Sequence, residues 1–196
     1  MERSPKIQKE VIEGCKAGDE SAFSEIVLTY QKKVFNIAFR MLGNREEAKE
    51  LSQEIFLSVL ESIKNLKEDI KFESWLTQIT LNHCRNRWKY LKRRQYFKTE
   101  SLNDPIETED GEMERQFFDP SDNPETHLEK KMVQQFVQRG LLKLKEDQRE
   151  LIVLRDLQGY SYEELGELFS LPEGTIKSRL HRARMYLKEI LERSVH

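Results

Sequence analysis

Cysteine, proline and glycine are all scarce, with two, five and eight residues in a chain of 196. Cys15 and Cys84 supply neither a disulfide framework nor the paired spacing of a zinc site. His83 beside Cys84 has no second Cys/His pair to complete a metal or redox centre, and it reads as a core histidine rather than a ligand. No apolar run approaches the ~20 residues needed to cross a bilayer, and no signal-peptide pattern opens the chain. Direct membrane contact is therefore not expected, and a cytoplasmic location is. Sustained period-two alternation is missing, which argues against strands. There is also no glycine-rich phosphate loop, no nucleophile beside a base, and no pair of carboxylates set in an apolar pocket. Nothing points to an enzyme, and no cofactor or metal is expected. An excess of one charge is lacking too: the net charge of −2 excludes a uniformly basic nucleic-acid binder.

What is present is charge, helical periodicity and strong local polarity. Charged residues make up 35% of the chain, against about 25% for an average domain. From Arg85 to Lys98 every charge is positive: Arg85, Arg87, Lys89, Lys92, Arg93, Arg94 and Lys98. From Glu100 to Glu125 there are ten acidic residues and a single cation, Arg115. Three of the five prolines, Pro105, Pro120 and Pro124, fall in this acidic stretch, where helical periodicity lapses, so it reads as an extended tether. The expected fold is all-α: two small helical domains, 1–94 and 128–196, joined by a flexible acidic linker, 95–127.

In the first domain, Asp19 is a good N-cap for a helix carrying Phe23, Ile26, Val27, Tyr30, Val34, Ile37, Ala38 and Met41 at helical spacing. Gly43 is placed to stop it. Asn44 and Glu47 form a second start signal, for a helix burying Ala48, Leu51, Ile55, Val59 and Ile63. Its outer face carries Lys49, Glu50, Gln53, Glu54 and Leu57, and the apolar Leu57 is out of place on a merely solvated surface. A polar loop, 65–74, precedes a third helix expected to begin near Trp75. Gln78, Asn82, Arg85 and Lys89 share one side of it, flanked by Trp75 and Asn86. Amides, cations and an aromatic ring on one face suit nucleic acid, although basic helix ends are common.

The second domain should bury Leu128, Met132, Phe136, Leu141, Leu144, Leu151, Leu154 and Leu157, and it ends in two helices joined by a short turn. Ser161 and Glu164 make a capping box for a helix running to about Phe169, and Pro172 suits the first turn of the next. At 100° per residue, Ile176, Leu180, Ala183, Leu187 and Ile190 fall on one side of that helix. Lys177, Ser178, His181, Arg182 and Met185 fall on the other. A solvated amphipathic helix would show the same pattern; the tight turn and capped preceding helix favour a helix-turn-helix, which fits the DNA major groove.

Taken together, Ala48–Phe56, Phe72–Ile79 and Gly159–Arg184 resemble the sigma-70 family of initiation factors, in particular its short extracytoplasmic-function (ECF) subgroup. The resemblance covers nearly the whole chain. It implies binding to core RNA polymerase through the β′ clamp helices and the β flap, with Glu50, Gln53, Glu54 and Leu57 on the clamp helices. It implies that the loop Asp69, Ile70, Lys71, Phe72, Glu73 and Ser74, with Trp75, Asn82, Arg85 and Lys89, meets the promoter −10 element and captures a flipped base. It further implies that Thr175, Lys177, Ser178, Arg179, His181 and Arg182 meet the −35 element, with Arg179 placed for phosphate and Arg182 for a guanine edge. An anti-sigma factor is the expected regulatory partner. A free-standing helix-turn-helix regulator is the alternative, but it leaves the Glu50–Leu57 face and the base-capture loop unexplained.

Overall fold

The computed structural model describes residues 7–67, 71–97 and 124–194, with side chains described for 7–67, 71–94 and 132–194. Residues 98–123 of the expected 95–127 tether fall outside the described residues, as do Asp69 and Ile70 of the expected base-capture loop. The two ends of the tether, 95–97 and 124–127, are helical rather than extended, since each continues the periodic helix beside it. The elements are helices: α1 (Lys9–Ala17), α2 (Glu20–Leu42), α3 (Arg45–Ser62), α4 (Phe72–Phe97), α5 (Pro124–Lys143), α6 (Glu146–Ile152), α7 (Tyr162–Phe169) and α8 (Glu173–Arg193). A 3-10 turn, Ile63–Asn65, follows α3, and a π-helical segment, Val153–Leu157, continues α6. No strand occurs among the described residues.

Local chemistry sets most of the helix ends. The Asp19 carboxylate accepts hydrogen bonds from the Ser21 and Ala22 amides, and Gly43 closes α2 in the left-handed region at φ 77°. Asn44 caps α3 by accepting from the Glu47 amide at 2.9 Å. Each such cap contributes about 1 kcal/mol by satisfying an otherwise unpaired helix N–H.

Four features depart from the sequence expectations. Helix α4 begins at Phe72 rather than near Trp75, so Phe72, Glu73 and Ser74 form its first turn instead of a loop. Phe72 is only 6% exposed, against the Tyr30 and Trp75 rings at 5.5 and 5.8 Å; burying that ring draws the helix start back by a turn. Met132, expected in the core, is 68% exposed. The helix α1 was not anticipated, because Val11, Ile12 and Cys15 are too few to mark a period. Pro172 sits at the N-cap of α8, one position outside its first turn, and its carbonyl accepts from Thr175 and Ile176.

Helix α2 is the hub of the N-terminal half, packing on α1, α3 and α4, while α8 packs on α5, α6 and α7. The halves also meet: α5 and the π segment lie against α2, and α7 lies against α4. Buried side chains form one continuous cluster from Ile26 and Leu51 in one half to Leu154 and Ile176 in the other. At about 1.5–3 kcal/mol for each fully buried large aliphatic side chain, this core holds the surface faces in place.

Candidate nucleic-acid interfaces

The helix-turn-helix is built as its caps require. The Ser161 hydroxyl accepts from the Glu164 amide at 3.0 Å, and the Glu164 carboxylate accepts from the Ser161 amide at 2.7 Å. The turn closes on Ser170, a non-glycine residue at φ 53°, with the Leu171 amide donating to the Gly166 carbonyl at 3.0 Å. Gly166 is required there, since a Cβ would lie 2.9 Å from the Leu171 carbonyl oxygen. The Arg184 guanidinium reaches back to Asp156 at 2.5 and 3.0 Å, tying α8 to the π segment.

Ile176, Leu180 and Ala183 are buried beneath α8, leaving Lys177, Ser178, Arg179, His181 and Arg182 exposed and Thr175 half-buried. Lys177 pairs with Glu173 at 3.1 Å and lies 5.2 Å from the Tyr162 ring. Arg179 and Arg182 line a cleft of about 340 Å³ with Lys145, Asp147, Gln148, Leu151 and Tyr186. Lys145 was not singled out from sequence; it lies outside the periodic motif and joins the face only through the packing of α6 on α8.

On α4 the expected face is present but occupied. Gln78 donates to the Asn82 side-chain oxygen at 3.2 Å, and Arg85 donates to the same oxygen at 3.1 Å. The remaining Arg85 nitrogens grip the Glu150 carboxylate in a fork, at 2.6 and 2.7 Å, with Glu146 at 3.8 Å. Glu150 comes from α6 and its side chain is 3% exposed. Burial pushes its carboxyl above the ordinary carboxylate range, and the Arg85 charge pulls it partly back. Hydrogen bonding to Glu150 in turn holds the guanidinium above its usual value. Burial governs one partner and attraction the other.

Three further contacts join the halves around the same face. Lys71 pairs with Glu167 of α7 at 3.1 Å. The Thr77 hydroxyl shares a hydrogen bond with the Tyr160 hydroxyl at 2.5 Å. Lys33 pairs with Glu73, and its ammonium stands 4.4 Å from the Tyr160 ring centre. Of the expected −10 residues described, Lys71, Glu73 and Arg85 are thus engaged in ion pairs. Phe72 faces the core, Ser74 and Trp75 are half-buried, and Asn82 and Lys89 are exposed. Arg149, Glu150 and Tyr160 carry much of this junction and were not anticipated. Nothing in helical periodicity marks a polar residue for burial.

On α3, Glu50, Gln53, Glu54 and Leu57 all project outward, and Leu57 is 60% exposed. The sequence brings these four together because they lie three and four residues apart on one helix. Among the described residues there is no group of His, Cys, Asp and Glu able to hold a metal ion, and no helix long and apolar enough to cross a membrane.

Comparison with known proteins places both faces in familiar frames. Residues 26–94 match the family model for sigma-70 region 2, and residues 130–187 match that for sigma-70 region 4. The chain is 33% identical over 183 residues to the ECF RNA polymerase sigma factor SigW of Bacillus subtilis, covering 93% of this chain and 96% of that one. In fold it is similar to CnrH in complex with the cytosolic domain of CnrY, with TM-score 0.65, 20% identity, and coverage of 93% and 96%. It is likewise similar to the sigma factor RpoE in complex with the anti-sigma factor NepR from Bartonella quintana, with TM-score 0.64, 22% identity, and coverage of 87% and 96%. A capped helix-turn-helix and an amide-and-arginine helix, each inside its own matched region, together with full-length likeness to SigW, establish that the chain belongs to the ECF sigma factors of the sigma-70 family.

Proposed function

We propose that this sigma factor docks on core RNA polymerase through Glu50, Gln53, Glu54 and Leu57, and reads the −35 element with the outer face of α8. In this reading Arg182 takes a guanine edge, an interaction worth about 1–3 kcal/mol of discrimination when bidentate. Lys177, Arg179 and His181 serve the neighbouring backbone, with Thr175 and Ser178 as short hydrogen-bonding contacts. Asn82, Arg85 and Lys89, with Lys71, Glu73, Ser74 and Trp75, meet the −10 strand, and capturing a base there offsets the few kcal/mol of unstacking. Polymerase performs the catalysis; the chain supplies recognition and strand opening and is not itself an enzyme. It works in the cytoplasm, where promoter and polymerase are, and is held in check by an anti-sigma protein.

The observation that carries the reading is the outer face of α8, where basic and hydroxyl side chains stand exposed on a helix anchored by buried Ile176, Leu180 and Ala183. The ion pairs of Lys71 and Arg85 support a corollary. In the arrangement described these cations hold carboxylates from α6 and α7, so polymerase must draw the halves apart before promoter strands take their place.

Run-off transcription with core polymerase on a genomic library tests the activity and returns both promoter elements. Transcripts with a common −10/−35 pair are expected only when the chain is added. A mobility shift supplies the counter-test: the chain alone should bind the recovered promoter duplex weakly. Tight, specific binding without polymerase would instead make it a free-standing regulator.

A further inference from the structure

Arg87 lies inside the basic run of α4 but points away from its nucleic-acid face, toward α3. One guanidinium nitrogen donates to Glu47 at 2.5 Å and the other to Glu54 at 2.5 Å, and Glu50 lies 3.6 Å away. The Arg87 side chain is 16% exposed, whereas Glu50 is 67% and Glu54 51% exposed. Glu47, Glu50 and Glu54 are three and seven residues apart on one helix stripe, so their like charges repel at helical spacing. A cation beneath that stripe relieves the repulsion: it hydrogen-bonds one oxygen each of Glu47 and Glu54 and stands within ion-pair distance of one oxygen of Glu50. Arg87 meets Oε2 of Glu47, Oε1 of Glu54 and Oε2 of Glu50. The second oxygen of the two exposed carboxylates is left for an incoming partner.

We infer that Arg87 is a positioning residue for polymerase docking: it gathers Glu50 and Glu54 from beneath and presents their outer oxygens, beside Leu57, to a basic surface on the polymerase. The inference rests on the proposed docking role of the Glu50–Leu57 face and names the residue that prepares it. A glutamate side chain free in water must surrender rotamer freedom on binding, and one already held surrenders less. The fork of an arginine suits this task, because its two terminal nitrogens reach two carboxylates at fixed separation where the single ammonium of lysine reaches one. The arrangement also means that α4 carries both jobs. One side of the helix reads the promoter strand, and Arg87 on another braces the polymerase-facing helix.

The test is affinity of the full chain for core polymerase, in a double-mutant cycle of Arg87→Ala with Glu54→Ala. Arg87→Ala should weaken binding roughly tenfold, the order expected when two held glutamate side chains regain their rotamer freedom, and should weaken it little further in the Glu54→Ala background. Arg87→Lys, which keeps the charge but not the fork, should not restore wild-type affinity. Glu47→Gln, which loosens the clasp from its less exposed end and leaves the Glu50 and Glu54 carboxylates in place, should move affinity in the same direction. Binding that is unchanged or tighter in Arg87→Ala, costs that add in full with Glu54→Ala, or complete rescue by lysine would each overturn the inference. Thermal midpoints of the same variants separate stability from positioning: lost binding that tracked lost stability, and vanished at temperatures where every variant is folded, would also overturn the inference. If Glu54→Ala and Leu57→Ala both bind core as wild type does, the docking reading itself fails, and that result is separable from any effect at Arg87.

Discussion

At the scale of single residues, burial decides which chemistry is silent. Cys84 is fully buried, and desolvation pushes its thiol up to about 12. Cys15 is also buried and raised, again chiefly by desolvation. Thiolate is the reactive form, so the folded chain should resist a thiol-labelling reagent at pH 8 and take up two equivalents only after denaturation. Prompt stoichiometric labelling of the native protein would contradict this. The sign of the linkage follows: above the ordinary thiol range the unfolded chain loses a proton that the folded chain keeps, so stability falls as pH rises through that range. Arg149 shows the converse case of a charge made tolerable inside. It donates to the carbonyls of Leu141, Leu142 and Leu144 at 2.9, 3.0 and 3.1 Å and to that of Met41 at 2.6 Å, with the Trp88 ring 4.2 Å away. Burial lowers its guanidinium to about 10, which still leaves it charged at neutral pH.

At the scale of elements, the helix-turn-helix depends on a close approach that only glycine permits. Gly166→Ala would thrust a Cβ to 2.9 Å from the Leu171 carbonyl, and overpacking of this kind costs about 1–3 kcal/mol. The expected outcome is a lower denaturant midpoint with an unchanged slope, together with weaker use of the −35 element by holoenzyme. A variant as stable as wild type would show that the turn can relax. The same element was largely legible beforehand, since the capping box at Ser161 and the α8 stripe of Ile176, Leu180 and Ala183 are properties of neighbours three and four residues apart. Helix α4 was less legible. Its start depends on Phe72 finding Tyr30 across the core, which no local signal announces. Met132 departs from its expected burial for a related reason: helical spacing identifies a face, but whether that face meets another helix depends on the docking of α5.

At the scale of the whole molecule, the two halves clasp through polar contacts set on the proposed −10 face. Glu150→Gln preserves the volume of the buried side chain but removes its charge, leaving Arg85 a single neutral oxygen in place of a carboxylate fork. The free chain should then bind a single-stranded −10 oligonucleotide several-fold more tightly, with a steeper salt dependence because one more cation is available to phosphate. Unaltered affinity at low salt would mean that the junction does not screen this face. The sequence by itself determined the all-α class, the caps, the exposed α3 and α8 faces and the two-part plan, because each arises from residues within a turn or two of one another. Only the tertiary structure decided that Arg85 holds Glu150, 65 residues away, that Thr77 meets Tyr160 across 83, and that Lys71 meets Glu167 across 96. The physical reason is that periodicity records which side of a helix is apolar, whereas the partner of a charge is chosen by how whole helices pack.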